Sequence, residues 1–137
     1  MTRTDILLVE DDPHDLELTL RAVQRHVHRE RVVVVRDGAA ALTALHGEGA
    51  SDRVGLVLLD LELPQLSGTD VLVAIRGHAR TRSLWVVVLS SNDDRAVVER
   101  VQRLGADRFV RKTHDHAGLL EVLANFAAGN RPGRGGV

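Results

Sequence analysis

Val54-Gly-Leu-Val-Leu-Leu-Asp60-Leu-Glu-Leu-Pro64 opens with six apolar or glycine residues in succession and then meets a single carboxylate. An unbroken apolar run of this length, without alternation, suits a strand buried on both faces of a parallel sheet. Asp60 then stands at the carboxyl end of that strand, where open α/β sheets place their ligands. Pro64 and Gly68 turn the chain away directly afterwards. Taken alone, Asp60 need only end a strand or cap the next helix. The rest of the chain argues for more.

The 137 residues fit one domain with a real core, and 44% apolar with 27% charged residues is a globular balance. A formal charge of -1 gives no electrostatic reason to expect nucleic acid or a membrane surface. Aromatic residues at 2% leave little to stack on bases. Without cysteine there is neither a disulfide framework nor a thiolate site. Asp5 and Glu10 come too early for a signal peptide and no run approaches membrane-spanning length, so a cytoplasmic location is expected.

Residues 5–10 read as a short buried strand ending in acid. Asp12 as N-cap, Pro13 at the first helical position and Asp15 three residues on then predict a helix. Its buried stripe is Leu16, Leu20, Val23 and Val27. Residues 31–36 form a β-branched strand, and Asp37-Gly38 opens a second helix closing near Gly47 and Gly49. A third helix is expected over about 67–80, with Val71, Leu72 and Ile75 inward, and a fourth strand over 84–90. Asn92 is the expected cap of a fourth helix, striped by Val97, Val101 and Leu104 and closed by Gly105. A short strand over 107–111 leads to Lys112, and Leu119, Val122, Leu123 and Phe126 stripe a last helix. The expectation is an α/β, flavodoxin-like doubly wound (βα)5 fold with a parallel sheet of order 2-1-3-4-5. Residues 1–128 make the domain, and the Gly/Pro/Arg-rich stretch 129–137 is expected to be a disordered tail.

In such a sheet Glu10 and Asp11, Asp60, Ser90 and Lys112 converge along one edge. Three crowded carboxylates need a cation, and hard oxygen donors select Mg²⁺ or a relative. A lysine and a hydroxyl beside them supply donors for phosphoryl oxygens, leaving one carboxylate free as a nucleophile.

Over residues 4–128 the chain resembles the receiver domain of bacterial two-component response regulators. The resemblance rests on Leu7-Leu-Val-Glu-Asp-Asp-Pro13, Leu58-Leu-Asp-Leu-Glu-Leu-Pro64 with Gly68, Val87-Val-Leu-Ser-Ser91, and Gly105-Ala-Asp-Arg-Phe-Val-Arg-Lys112. The run from Glu10 to Leu20 and the segment 35–40 look most like stand-alone, phytochrome-associated receivers. The resemblance implies that Asp60 accepts a phosphoryl group from a histidine kinase and that Asp11 binds Mg²⁺ directly. It implies that Glu10 acts on the metal through water and that the backbone carbonyl of Glu62 completes the protein ligands. Ser90 fills the place of the switch hydroxyl, Phe109 that of the switch aromatic, and Lys112 that of the family's lysine. A phytochrome-type kinase, a downstream target or phosphotransfer protein, and a homodimer through the fourth helix, fifth strand and fifth helix are the implied partners. The implied protein assists its own phosphorylation and dephosphorylation and has no separate substrate, so it is no enzyme in the usual sense.

One position departs from the family: Thr113 follows Lys112 where a cis proline is usual. Without proline a cis bond costs about 3 kcal/mol, so a less well-aimed Lys112 and a looser start to the last helix are expected. Val98, outside the Val97/Val101 stripe, is expected to be exposed and to suit an interface. The pairs His26/His28 and His114/His116 stand at i,i+2, so neither side of them suits a metal. The Arg-rich segments around Arg76 and Arg100 read as solvated faces, and Trp85 as packing at a strand start. Three other readings share the same features. A phosphatase of the haloacid dehalogenase type also uses a post-strand Asp, but places a second Asp two residues on, where Glu62 stands here. A degenerate receiver would bind without phosphorylation. A flavin site would need the missing aromatics.

Overall fold

The computed structural model describes residues 3–50 and 52–132. Five strands, β1 (Asp5–Val9), β2 (Val32–Val35), β3 (Val54–Asp60), β4 (Trp85–Ser90) and β5 (Arg108–Arg111), pair in parallel in the order β2-β1-β3-β4-β5. Helices α1 (Pro13–Val23), α2 (Gly38–His46), α3 (Gly68–Gly77) and α4 (Arg95–Arg103) make the crossovers, and α5 (Ala117–Ala127) follows β5. The central strand β3 is buried at all seven positions, so its lack of alternation is what two covered faces require.

The pleat divides the core in two. Leu7, Val9, Val57, Leu59, Val86, Val88 and Phe109 face α2, α3 and α4. Ile6, Leu8, Leu56, Leu58, Val87, Leu89 and Val110 face α1 and α5, meeting Val23, Leu119, Val122, Leu123 and Phe126. Burial of these Val and Leu side chains contributes about 2 kcal/mol each and is the main force holding the layers. Among the described residues no helix is long and apolar enough to cross a membrane.

Local chemistry sets the helix ends. Asp12 accepts the Asp15 N–H at 2.9 Å and so caps α1 as expected. Ser67 and Asp70 form a complete capping box on α3. Gly68 lies so close to the Asp60 carbonyl oxygen and Leu61 Cα that a Cβ there would collide with backbone. The turn behind Asp60 is therefore tight. Gly105, at φ 104, takes the left-handed conformation that closes α4.

Several boundaries differ from expectation. The first helix ends at Val23, and Val27 reaches the core from the turn beyond, ahead of a 3-10 turn at Arg29–Arg31. The third stops at Gly77. Asn92 does not cap α4: that position belongs to Asp94, whose N–H is accepted by the Asn92 side chain at 3.1 Å. Val98 is half-buried and packs on the α2–α4 side of the core, so it is not the exposed interface residue expected.

The stretch expected to be disordered from residue 129 begins with an ordered return. Arg131 donates to Asp107 Oδ1 through Nη2 at 2.6 Å and lies 5.8 Å from the centre of the Trp85 ring. Residues 133–137 lie outside the described residues.

Candidate functional site

The strand ends bring the predicted residues together. Glu10 follows β1 and is 1% exposed, Asp60 ends β3 at 3%, and Ser90 ends β4 fully buried. Lys112 follows β5 and inserts its ammonium among three carboxylates. Nζ lies 3.0 Å from Glu10 Oε1, 3.3 Å from Asp60 Oδ1 and 3.0 Å from Asp15 Oδ2. Asp11 stands at the exposed rim, where its backbone carbonyl accepts from Arg36 at 3.0 Å.

Two almost fully buried carboxyls facing one ammonium are short of positive charge. Burial, followed by the contacts with Glu10 and Glu62, pushes the Asp60 carboxyl up to about 9, against the pull of Lys112. Burial also opposes the charge on Lys112, but Glu10, Asp60 and Asp15 outweigh it and raise its pKa above the ordinary lysine value. This donor set fits a hard divalent cation, which would supply the missing charge. Among the described residues no three His, Cys, Asp or Glu side chains are already arranged around a metal position. Lys112 holds the centre, and the exposed Asp11 completes no cluster there.

Around Asp60 the hydrogen bonds are specific. The Glu62 N–H donates to Asp60 Oδ1 at 3.2 Å. The Ser90 hydroxyl donates to Glu62 Oε1 at 2.8 Å and accepts the Asn92 N–H at 3.0 Å. Phe109, 1% exposed, sits with its ring in the core on the α4 side, one strand from Ser90.

Thr113 does not misdirect Lys112. No cis peptide bond occurs among the described residues, and the ammonium still reaches Asp60. Nor is the entry to α5 loose: the Thr113 hydroxyl donates to Asp115 Oδ1 at 2.8 Å, and that oxygen also accepts the Ala117 N–H at 3.1 Å.

Asp15 is the site residue that sequence reasoning missed. Its position three residues past the N-cap suggested a capping box, but its carboxylate turns to Lys112, 97 residues away. The other missed constellation lies at the opposite edge of the sheet. Asp107, fully buried, accepts from Arg76 Nη2 at 3.1 Å, from Arg131 and from the Val86 N–H at 2.8 Å. Arg76 also donates to the carbonyls of Gly105 and Leu84, so it braces the approaches to β4 and β5 and is no solvated surface residue.

Comparison with known proteins agrees with this arrangement. The response regulator receiver domain profile matches residues 6–124. Response regulator Rcp1 of Synechocystis is 30% identical over 121 residues, covering 86% of this chain and 82% of Rcp1. The probable methanogenesis regulatory protein FilR2 of Methanothrix harundinacea is 43% identical over 93 residues, covering 65% of this chain and 60% of FilR2. This chain thus spans less than two thirds of that longer relative. Among solved structures, the bacteriophytochrome response regulator RtBRR superposes with a TM-score of 0.78 at 38% identity, covering 92% of this chain and 78% of RtBRR. The five-stranded 2-1-3-4-5 sheet and the strand-end residues have one common explanation: this chain belongs to the response regulator receiver domain family.

Proposed function

We propose that this chain is a phosphorylatable response regulator whose acceptor is Asp60. The observation that carries the reading is the buried Asp60 carboxyl at the end of β3 with Lys112 3.3 Å away. A partner histidine kinase presents phosphohistidine. An Asp60 oxygen forms the new P–O bond as the P–N bond breaks, and the imidazole nitrogen leaves with the electron pair. Lys112 and the Ser90 hydroxyl then serve the equatorial phosphoryl oxygens. Glu10, Asp11 and Asp60, with the Glu62 carbonyl, would hold a divalent cation that offsets charge between carboxylate and phosphoryl group.

The likeness to the bacteriophytochrome response regulator RtBRR supports a bacterial phytochrome as the kinase, with the chain acting as a stand-alone regulator in the cytoplasm. Output then passes through protein contacts or onward phosphotransfer. Ser90 and Phe109 relay the phosphorylation state to α4, β5 and α5, biasing one of two arrangements of that face. The face carries exposed ion pairs, Arg95–Glu99 and Arg111–Asp93, which suit a salt-sensitive contact between two copies. The dehalogenase-type reading is weaker, because its acid–base position, Glu62, is tied to Ser90.

Incubation with Mg²⁺ and acetyl phosphate should raise the intact mass by one phosphoryl group. Asp60→Asn should abolish the gain and Asp11→Ala should suppress it. Phosphorylation of Asp60→Asn at the wild-type rate would overturn the assignment.

A further inference from the structure

Lys112 contacts one more carboxylate than the phosphoacceptor chemistry requires. An ammonium has three donors, and here three carboxylates, Glu10, Asp60 and Asp15, surround it. Glu10 and Asp60 belong to the acceptor site, whereas Asp15 belongs to the first turn of α1 and is itself half-buried at the rim. The side chain of Lys112 is only 18% exposed, so an ammonium that loses its partners stays partly desolvated unless another acceptor meets it. A divalent cation held by Asp11 and Asp60, and by Glu10 through water, would draw on these carboxylates and repel Nζ at the same time.

We propose that Asp15 is a positioning residue for Lys112: it retains the ammonium when a divalent cation takes over Glu10 and Asp60. The inference rests on the phosphoacceptor reading above. Asp15 is suited to the role on three counts. Its carboxylate already holds Nζ at 3.0 Å. Its backbone is fixed by the Asp12 cap, which anchors the base of the side chain. It also lies beside the carboxylate pair: with Lys112, His14 and Thr113 it lines a cleft of about 370 Å³ that gives the ammonium room to swing. Held there, Nζ stays close enough to meet a phosphoryl oxygen later. Asp15 thereby favours the cation-loaded site without being a ligand.

The test is calorimetric titration of Mg²⁺ into the unphosphorylated protein at fixed ionic strength. Asp15→Ala and Asp15→Asn should each weaken Mg²⁺ binding about threefold to fivefold, because Lys112 then stays on Glu10 and Asp60. Thermal unfolding without metal confirms that each variant is folded, and Asp15→Asn keeps the side chain's shape. In a Lys112→Ala background the same Asp15 substitutions should leave Mg²⁺ affinity almost unchanged, since there is no ammonium to retain. Equal losses in both backgrounds would reduce Asp15 to a distant negative charge and overturn the proposal, as would no loss in either. A wild-type protein that binds no Mg²⁺ would instead bring down the phosphoacceptor reading itself.

Discussion

The Glu62 carboxylate accepts the Ser90 hydroxyl at 2.8 Å, so the hydroxyl proposed to meet a phosphoryl oxygen is already engaged. On the proposed reading, phosphorylation of Asp60 must break that bond before Ser90 can turn toward the phosphoryl group. Glu62 is exposed, which limits the bond to about 1 kcal/mol. Glu62→Ala should therefore accelerate phosphorylation by acetyl phosphate about fivefold, followed as intact mass against time. A variant no faster than wild type would mean that Ser90 turns at no cost.

Asp107 should matter most for stability. Its carboxylate is fully buried and serves Arg76, Arg131 and the Val86 N–H together. Asp107→Ala removes the carboxylate that Arg76, Arg131 and the buried Val86 N–H share, a loss of about 3 kcal/mol in urea unfolding. Asp107→Asn keeps an acceptor for Val86 and should lose less. Arg131→Ala, at a half-exposed partner, should cost about 1 kcal/mol or below. If Asp107→Ala unfolded at the wild-type midpoint, the buttress would be idle.

His46 should make the fold sensitive to mild acid. Its ring stacks on His78 with centres 4.1 Å apart, and Nε2 lies 2.6 Å from the Thr81 hydroxyl. That hydroxyl spends its proton on the Ile75 carbonyl at 2.8 Å, so neutral His46 must be the donor. Burial, with His78 and Arg80 nearby, lowers its pKa below the ordinary value. The unfolded chain then binds the proton more readily, so stability is full above about pH 6.5 and falls as the pH drops through it. His46→Gln, which can still donate to Thr81, should shrink the loss between about pH 7.5 and about pH 5.5. An unchanged pH dependence would assign the loss to another group.

The parts legible in the sequence were those where one residue's chemistry points one way. The apolar runs of β1, β3 and β4 could only be doubly covered strands, and parallel topology then sent Glu10, Asp60, Ser90 and Lys112 to one edge. Ambiguity arose where several residues could do one job. Asn92, Asp93 and Asp94 can all cap a helix; the N-cap position falls to Asp94, without a side-chain bond to the helix, while Asp93 is drawn to Arg111 at 3.2 Å. Asp15 and Asp107 had adequate local roles, as a helix-start acid and a strand-edge acid. Only the folded chain supplies the distant cations that redirect them. Arg76 was hidden in the same way, by neighbours that are solvated arginines.

Thr113 yields the last prediction. Lys112 reaches Asp60 without the proline usual in the family, so Thr113→Pro should not speed phosphorylation from acetyl phosphate. The threonine has its own task, because its hydroxyl fixes Asp115, which caps the Ala117 N–H. That bond holds the Asp115 carboxyl below its usual pKa, with the Ala117 N–H adding to the effect. Thr113→Ala should therefore loosen the first turn of α5 and cost about 1 kcal/mol of stability. Amide hydrogen exchange at Ala117 and Gly118 should quicken while exchange in β5 stays as it was. Thr113→Pro removes the same hydroxyl and should show the same faster exchange. A proline variant that phosphorylates markedly faster would show instead that Lys112 is poorly aimed in the native chain.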